Sequence, residues 1–174
     1  MAGREEVIGA AAIAARVREL GRAVSEDYQG RELVLIGVLN GAFIFIADLA
    51  RAITIPLQID FIRVASYGAA ASSSGQLRLT KEVELPLAGK DILLVEDIVD
   101  TGRTLARLKE LLQAQKPASV RICALIDKQE RREVEVAVDY PGFTVAEGFL
   151  VGYGLDYAEQ HRHYPAIYRL LDCR

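Results

Sequence analysis

This sequence of 174 residues is poor in the side chains that carry soft-metal or nucleophilic chemistry. It has two cysteines and two histidines. Cys123 lies in an apolar run and reads as a small core residue. Cys173 lies near the C-terminus, and the pair has no metal-ligand spacing, a usage that fits a reducing compartment. His161 and His163 stand two apart, which on a helix places them on different sides, so they are not expected to share a metal. No Ser/His/Asp or Cys/His set is evident. There is no surplus of positive charge either: 21 basic against 24 acidic side chains leave a net −3, so no overall field draws in nucleic acid or an acidic membrane. No apolar run is long enough for a membrane span. The alanine-rich stretch after Glu6 is broken by Arg16 and Arg18, and the beginning Met1–Glu6 does not resemble a leader. A cytoplasmic location is expected. The nucleotide P-loop pattern G-x-x-x-x-G-K-[ST] is absent. "GYGLDY" (Gly152–Tyr157) begins like a dinucleotide fingerprint but lacks its last glycine.

What is present is a soluble, globular balance, 51% hydrophobic and 26% charged, with length for one domain over 1–174 and its own core. Ile13, Val17, Leu20 and Val24 recur at helical spacing within Ala10–Tyr28 and predict a one-sided helix. Leu33–Leu39 is a nearly continuous apolar run, the mark of a strand covered on both faces. Gly41 permits a turn, and "AFIFIADLARAI" reads as a helix. Leu57, Ile59, Phe61 and Val64 suggest a second strand. Ala69–Gly75 is small and polar and reads as a mobile loop between two antiparallel strands, the second within "QLRLTKEVEL". Then come a strand at "ILLVED", a helix over Thr104–Gln115, a strand at "SVRICALID" and a short strand at Val134–Val138. Alternating strands and helices predict an α/β fold with a mainly parallel twisted sheet flanked by helices, with a small hood from the terminal segments. Ligands in such sheets bind at the carboxyl ends of strands.

One of those ends poses a chemical problem. "ILLVEDIVDTGRTL" (Ile92–Leu105) closes a buried strand with Glu96, Asp97 and Asp100, then runs through Thr101, Gly102, Arg103 and Thr104 into a helix. Free amides at a helix start, a glycine for close approach and two hydroxyls suit a phosphate. Carboxylates beside a phosphate repel it unless something lies between them. A sugar does this: adjacent acids accept hydrogen bonds from a ribose diol, directly or through Mg²⁺ and its waters, while the loop holds the phosphate at the other end. The ligand so described is a ribose 5-phosphate whose ring tolerates positive charge.

The same stretch resembles the phosphoribosyl pyrophosphate signature of the type I phosphoribosyltransferases. "GVLNGAFIFIADL" (Gly37–Leu49), "SYG" (Ser66–Gly68), "ALIDK" (Ala124–Lys128) and "FLVGYGLDYAEQHR" (Phe149–Arg162) resemble hypoxanthine-guanine phosphoribosyltransferases in order and spacing. The resemblance implies these roles. Glu96 and Asp97 contact the ribose hydroxyls, directly or through metal; Asp100 exchanges a proton at purine N7; Thr101, Gly102, Arg103 and Thr104 cradle the 5-phosphate. Leu39, Asn40 and Gly41 form the diphosphate turn, where a non-proline cis peptide is expected and where Asn40 replaces a lysine common in the family. Ser66 and Tyr67 begin a catalytic lid. Lys128 meets the purine 6-oxo group, Phe149 stacks on the base and the Leu150 backbone reaches its edge. Asp156 lies at the purine end and binds a second Mg²⁺, and Arg162 contacts diphosphate. Without the resemblance, Lys128 reads as an exposed strand-end lysine and Phe149 as packing.

The implied activity is purine salvage: transfer of ribose 5-phosphate from phosphoribosyl pyrophosphate to N9 of hypoxanthine or guanine, with Mg²⁺ as cofactor and no nucleic-acid or membrane partner. The rivals are a xanthine-preferring enzyme and an RNA-binding regulator on the same fold. A helix at Phe43–Ile46 that is apolar beyond one face suggests a subunit contact, and the family forms dimers and tetramers.

Overall fold

The computed structural model describes residues 3–65 and 78–171. Ser66, Tyr67 and the serine-rich stretch after them lie outside the described residues. Six strands form the main sheet: β2 (Leu33–Leu39), β3 (Leu57–Val64), β4 (Leu79–Lys81), β5 (Asp91–Val99), β6 (Ser119–Lys128) and β7 (Tyr140–Val145). Their order is β4-β3-β2-β5-β6-β7, parallel except for β4, which pairs antiparallel with β3. β4 thus follows the polar stretch as an antiparallel partner, as expected. The continuous apolar runs of β2 and β5 occupy the two central positions. There alternate side chains enter two cores, and no polar face is tolerated.

Leu33, Leu35, Leu93, Val95, Cys123 and Leu125 point to one face, and Val34, Ile36, Ile92, Leu94, Ile122 and Ala124 to the other. Helices α1 (Ala10–Asp27) and α2 (Phe43–Ala52) cover the first face, and α3 (Arg103–Gln113) covers the second through Leu105, Leu108 and Leu112. The predicted α1 stripe, Ile13, Val17, Leu20 and Val24, is buried throughout, each side chain contributing about 2 kcal/mol of gross burial. Gly21 lets α1 approach α2: a Cβ there would stand 2.6 Å from that of Ala52. In α2, Phe45 and Ile46 face the sheet while Phe43 stays 44% exposed, which divides the apolar cluster between core and surface.

The hood is a second sheet in the order β1-β9-β8, antiparallel, built from β1 (Arg4–Ile8), β8 (Phe149–Val151) and β9 (Ile167–Leu170). It ties the beginning of the chain to its end.

Two expectations are corrected. Val134–Val138 is not a strand; it runs without regular structure, and the sixth strand is β7, beginning at Tyr140. The apolar signal was real, since Val136 is buried and Val138 packs on the α3 side. Pro141 and Gly142 obscured the strand itself. A proline is tolerated there because β7 is an edge. Arg16 donates to the carbonyls of Pro141 (2.7 Å) and Gly142 (3.0 Å), capping that edge. The segment bearing His161 and His163 is not helical but a series of turns, with positive φ at Ala158, Glu159 and His161. His161 Nδ1 stands 2.9 Å from the Tyr164 hydroxyl.

Candidate functional site

The carboxyl ends of β2, β5 and β6 gather most of the motif residues. Towards its end β5 carries Glu96, which is buried, and Asp97, which is half-buried. The Asp97 amide donates to Glu96 Oε1 at 3.0 Å, and the Ile98 amide to Asp97 Oδ1 at 2.8 Å. Burial and then the charge of Asp97 push the Glu96 carboxyl well above the ordinary range, and burial raises Asp97 too, opposed first by its contact with Glu96 and the Ile98 amide and more weakly by Arg162. Two carboxyls so held favour a neutralising ligand.

The β2 end turns directly over this pair. The Leu39–Asn40 peptide is cis, as the resemblance implied. Gly41 leaves no room for a side chain, since a Cβ would fall 1.7 Å from Asp97 Oδ2. The Gly154 turn closes on the same point: its Cβ would lie 2.0 Å from the Gly41 carbonyl oxygen. Arg162 secures that turn, donating to the Gly154 carbonyl at 2.8 Å and pairing with Asp156 at 2.9 Å and Glu159 at 3.1 Å. Asp156 is thereby engaged with Arg162, and it also accepts the Glu159 amide at 2.9 Å.

The end of β5 and the loop after it, from Glu96 to Leu105, line a cleft of about 170 Å³. Gly102 precedes α3 with φ 82°, and no side chain caps the helix, so its first amides stand open to an anion. Thr101 Oγ1 is a distant acceptor for the Arg103 amide, at 3.4 Å. The Arg103 side chain is 71% exposed and pairs with Glu133, so within this loop Arg103 offers the cleft its amide. Asp100 Oδ1 is buried and has no hydrogen-bond partner among the described residues, while Oδ2 faces Arg131 at 3.5 Å.

At the end of β6, Lys128 is buried and its ammonium meets Glu130 at 3.0 Å. Lys128 holds the Glu130 carboxyl below the ordinary range. At the start of β8, Phe149 is 43% exposed and meets the Tyr157 ring edge-on at 5.3 Å. The Leu150 side chain is buried.

Glu130, Tyr157 and Arg132 are the neighbours that sequence reading missed. Arg132 sits in the charge run "KQERRE", where only its contacts set it apart. Among the described residues no three histidine, cysteine, aspartate or glutamate side chains gather as a metal cage. The Glu96–Asp97 pair nonetheless suits Mg²⁺, a hard cation that takes one or two carboxylates and completes its shell with water and substrate oxygens. A larger depression of about 660 Å³ between α1 and α2, lined by Arg18, Arg22 and Arg51, contains none of the motif residues.

Comparison with known proteins agrees with this geometry. Residues 4–158 match the family model described as the phosphoribosyl transferase domain. The hypoxanthine phosphoribosyltransferase of Salmonella typhimurium is 44% identical over 165 residues, covering 94% of this chain and 93% of that protein. The solved structure of a Staphylococcus aureus hypoxanthine phosphoribosyltransferase superposes with a TM-score of 0.91 at 39% identity, covering 95% of this chain and 90% of the other. A hypoxanthine-guanine phosphoribosyltransferase from Bacillus anthracis gives 0.89 at 38% identity, with 96% of both chains covered. An acid pair beside an uncapped helix start, on this fold and with these relatives, has one reading: the chain belongs to the phosphoribosyltransferase family.

Proposed function

We propose that the chain is a purine-salvage enzyme that transfers ribose 5-phosphate from phosphoribosyl pyrophosphate to N9 of hypoxanthine or guanine. The observation that carries this reading is the buried, unpartnered Asp100 Oδ1, set between the Glu96–Asp97 pair and the open amides of α3. A carboxylate oxygen that is buried and unpaired is costly, and such an atom at the end of a strand calls for a ligand proton.

The roles follow from position. The amides of Arg103 and Thr104, with the Thr101 and Thr104 hydroxyls, hold the 5-phosphate, and Gly102 allows the loop to approach it. Glu96 and Asp97 hold the ribose hydroxyls and, with them, Mg²⁺. When bound, the metal neutralises the leaving diphosphate. The turn Leu39–Gly41 offers backbone amides to the diphosphate, and Arg162 adds its charge from the Gly154 turn. The base enters between Phe149 and Lys128. The Lys128 ammonium is an obligate donor, matched to a 6-oxo group and mismatched to a 6-amino group. Asp156, at the purine end of the same turn, is assigned the second metal contact; that role requires release from Arg162.

In the forward reaction the C1′–O bond to diphosphate breaks with its electron pair leaving on oxygen, as purine N9 forms the new bond to C1′. The ring gives up a proton at N7, and Asp100 Oδ1 accepts it. The neighbouring carboxylates stabilise positive charge on the ribose as it develops. We read residues 1–174 as one domain, because β1 near the start pairs with β9 near the end. A homodimer or homotetramer is proposed on the exposed Phe43 of α2.

Steady-state kinetics with hypoxanthine, guanine, xanthine, adenine and uracil under one set of conditions test the reading. Hypoxanthine or guanine should lead in kcat/KM, with adenine and uracil lower by at least about a hundredfold, as expected when a buried donor is left facing a wrong group. A lead for xanthine would shift the assignment to the xanthine-preferring enzyme. A lead for adenine or uracil would overturn it, and no turnover together with RNA binding at physiological salt would replace it with a regulator.

A further inference from the structure

β5 and β6 pair in parallel until the ladder ends at Val99 opposite Asp127. Past that point the two chains part, one towards Asp100 and the phosphate loop, the other towards Lys128. One buried side chain, Arg132, bonds to the backbone on both sides of the gap. Arg132 donates through Nε to the Asp100 carbonyl at 3.0 Å. Its Nη2 lies near the Val99 carbonyl at 3.3 Å, Asp127 Oδ1 at 2.6 Å and the Lys128 carbonyl at 3.1 Å. The side chain is 7% exposed, so its charge is compensated by Asp127 and by main-chain oxygens, not by water.

The residues that follow it complete a latch. The amides of Glu133 and Val134 both donate to the Thr101 carbonyl, at 2.9 and 3.0 Å, and the Val134 carbonyl fills the space beside Gly102. Segment 129–134 is therefore fastened along the back of Asp100–Gly102 while its guanidinium grips both strand ends.

We infer that Arg132 is a positioning residue that sets the proton-accepting Asp100 and the base-reading Lys128 at a fixed separation by holding the backbone of both. The inference rests on the roles proposed above for those two residues. Arg132 is assigned no substrate contact, since Nε and Nη2 are directed at protein oxygens. It replaces the missing ladder bonds with one planar fork, which a lysine cannot reproduce: an ammonium on a flexible stem reaches one or two of these acceptors, not the set. Because N9 attack and proton transfer occur on one purine held by both residues, a displacement of either backbone by about an ångström is expected to cost roughly a hundredfold in rate.

Arg132→Lys, Arg132→Ala and Asp127→Asn are compared with the wild-type enzyme for thermal midpoint, kcat, KM of both substrates and amide hydrogen exchange. Wild-type turnover is established first; its absence would sink the proposed function and not this inference. In folded Arg132→Lys, kcat should fall about 10- to 100-fold with KM for the purine raised. Exchange should quicken at the Glu133 and Val134 amides and stay unchanged in α1. Guanidinium at non-denaturing concentration should restore part of the activity of Arg132→Ala, and Asp127→Asn should show the same pattern more weakly. If Arg132→Ala does not fold, the lysine and Asp127→Asn variants carry the test. A lowered midpoint with kcat, KM and local exchange unchanged would reduce Arg132 to a structural residue and overturn the inference.

Discussion

At the scale of single residues, the acids of the "EDIVD" stretch do different work because their surroundings differ. Glu96, buried, and Asp97, half-buried, lie side by side with both carboxyls raised, ready for a cationic or hydroxylated partner. Asp100 holds one oxygen buried and without a hydrogen bond among the described residues. Asp100→Asn keeps the shape and removes basicity, so kcat should fall about 10²–10⁴-fold. Affinity for phosphoribosyl pyrophosphate, measured by calorimetry, should persist. A kcat within a few-fold of wild type, with chemistry shown to limit turnover, would remove Asp100 from proton transfer. Lys128→Ala should weaken hypoxanthine binding by about 1.5–3 kcal/mol, the worth of a charge-assisted hydrogen bond, and narrow the gap to adenine. Equal base affinities in mutant and wild type would return Lys128 to a partner for Glu130 alone. The chemistry of the acids was legible in the sequence because three carboxylates beside a phosphate loop need a physical explanation. Choosing Asp100 for proton transfer came from the resemblance, and its unpartnered oxygen became visible only in three dimensions.

At the scale of elements, central strands and amphipathic helices were legible and edges were not. β5 and β2 announce themselves because both faces are covered, and α1 because its stripe repeats at helical spacing. β1 was missed: "REEVI" offers little apolar signal and pairs with a strand more than 150 residues away, a contact no local pattern encodes. β7 was displaced by several residues because Pro141 and Gly142 argue against a strand unless its edge position is known. Arg132 was unreadable for a related reason: its acceptors are main-chain carbonyls, which leave no mark in the side-chain pattern.

The β3–β4 edge gives a further test. Asp60 accepts the amides of Phe61 (2.7 Å), Glu84 (2.7 Å) and Leu85 (2.9 Å), and the Lys81 ammonium at 3.2 Å. Burial opposes its ionisation, but these bonds prevail and hold its carboxyl below the ordinary range. Because the folded value is depressed, the stability it contributes is present above the unfolded carboxyl range and is lost as pH falls through the folded value. Asp60→Ala should cost on the order of 2–3 kcal/mol at neutral pH, from amides left without a partner, in denaturant titrations. The difference from wild type should shrink as pH drops below about 4, the ordinary range of an aspartate. A penalty independent of pH would show that the site acts by packing.

At the scale of the whole molecule, the fold brings distant segments to one rim. The β2 turn, the β5 acids, the end of β6 and the Gly154 turn come from four separate parts of the chain, and glycines at 41 and 154 let their backbones meet. The hood sheet presents Phe149 to that rim, and the parallel sheet presents the acids and Lys128. The account therefore requires one chemical event joining both sides: a bond between purine N9 and ribose C1′. The most direct measurement is analysis of products after incubating the protein with hypoxanthine, phosphoribosyl pyrophosphate and Mg²⁺. The account predicts inosine monophosphate linked through N9, with one diphosphate released per nucleotide formed. Diphosphate release without nucleotide, or no release by folded protein, would contradict it.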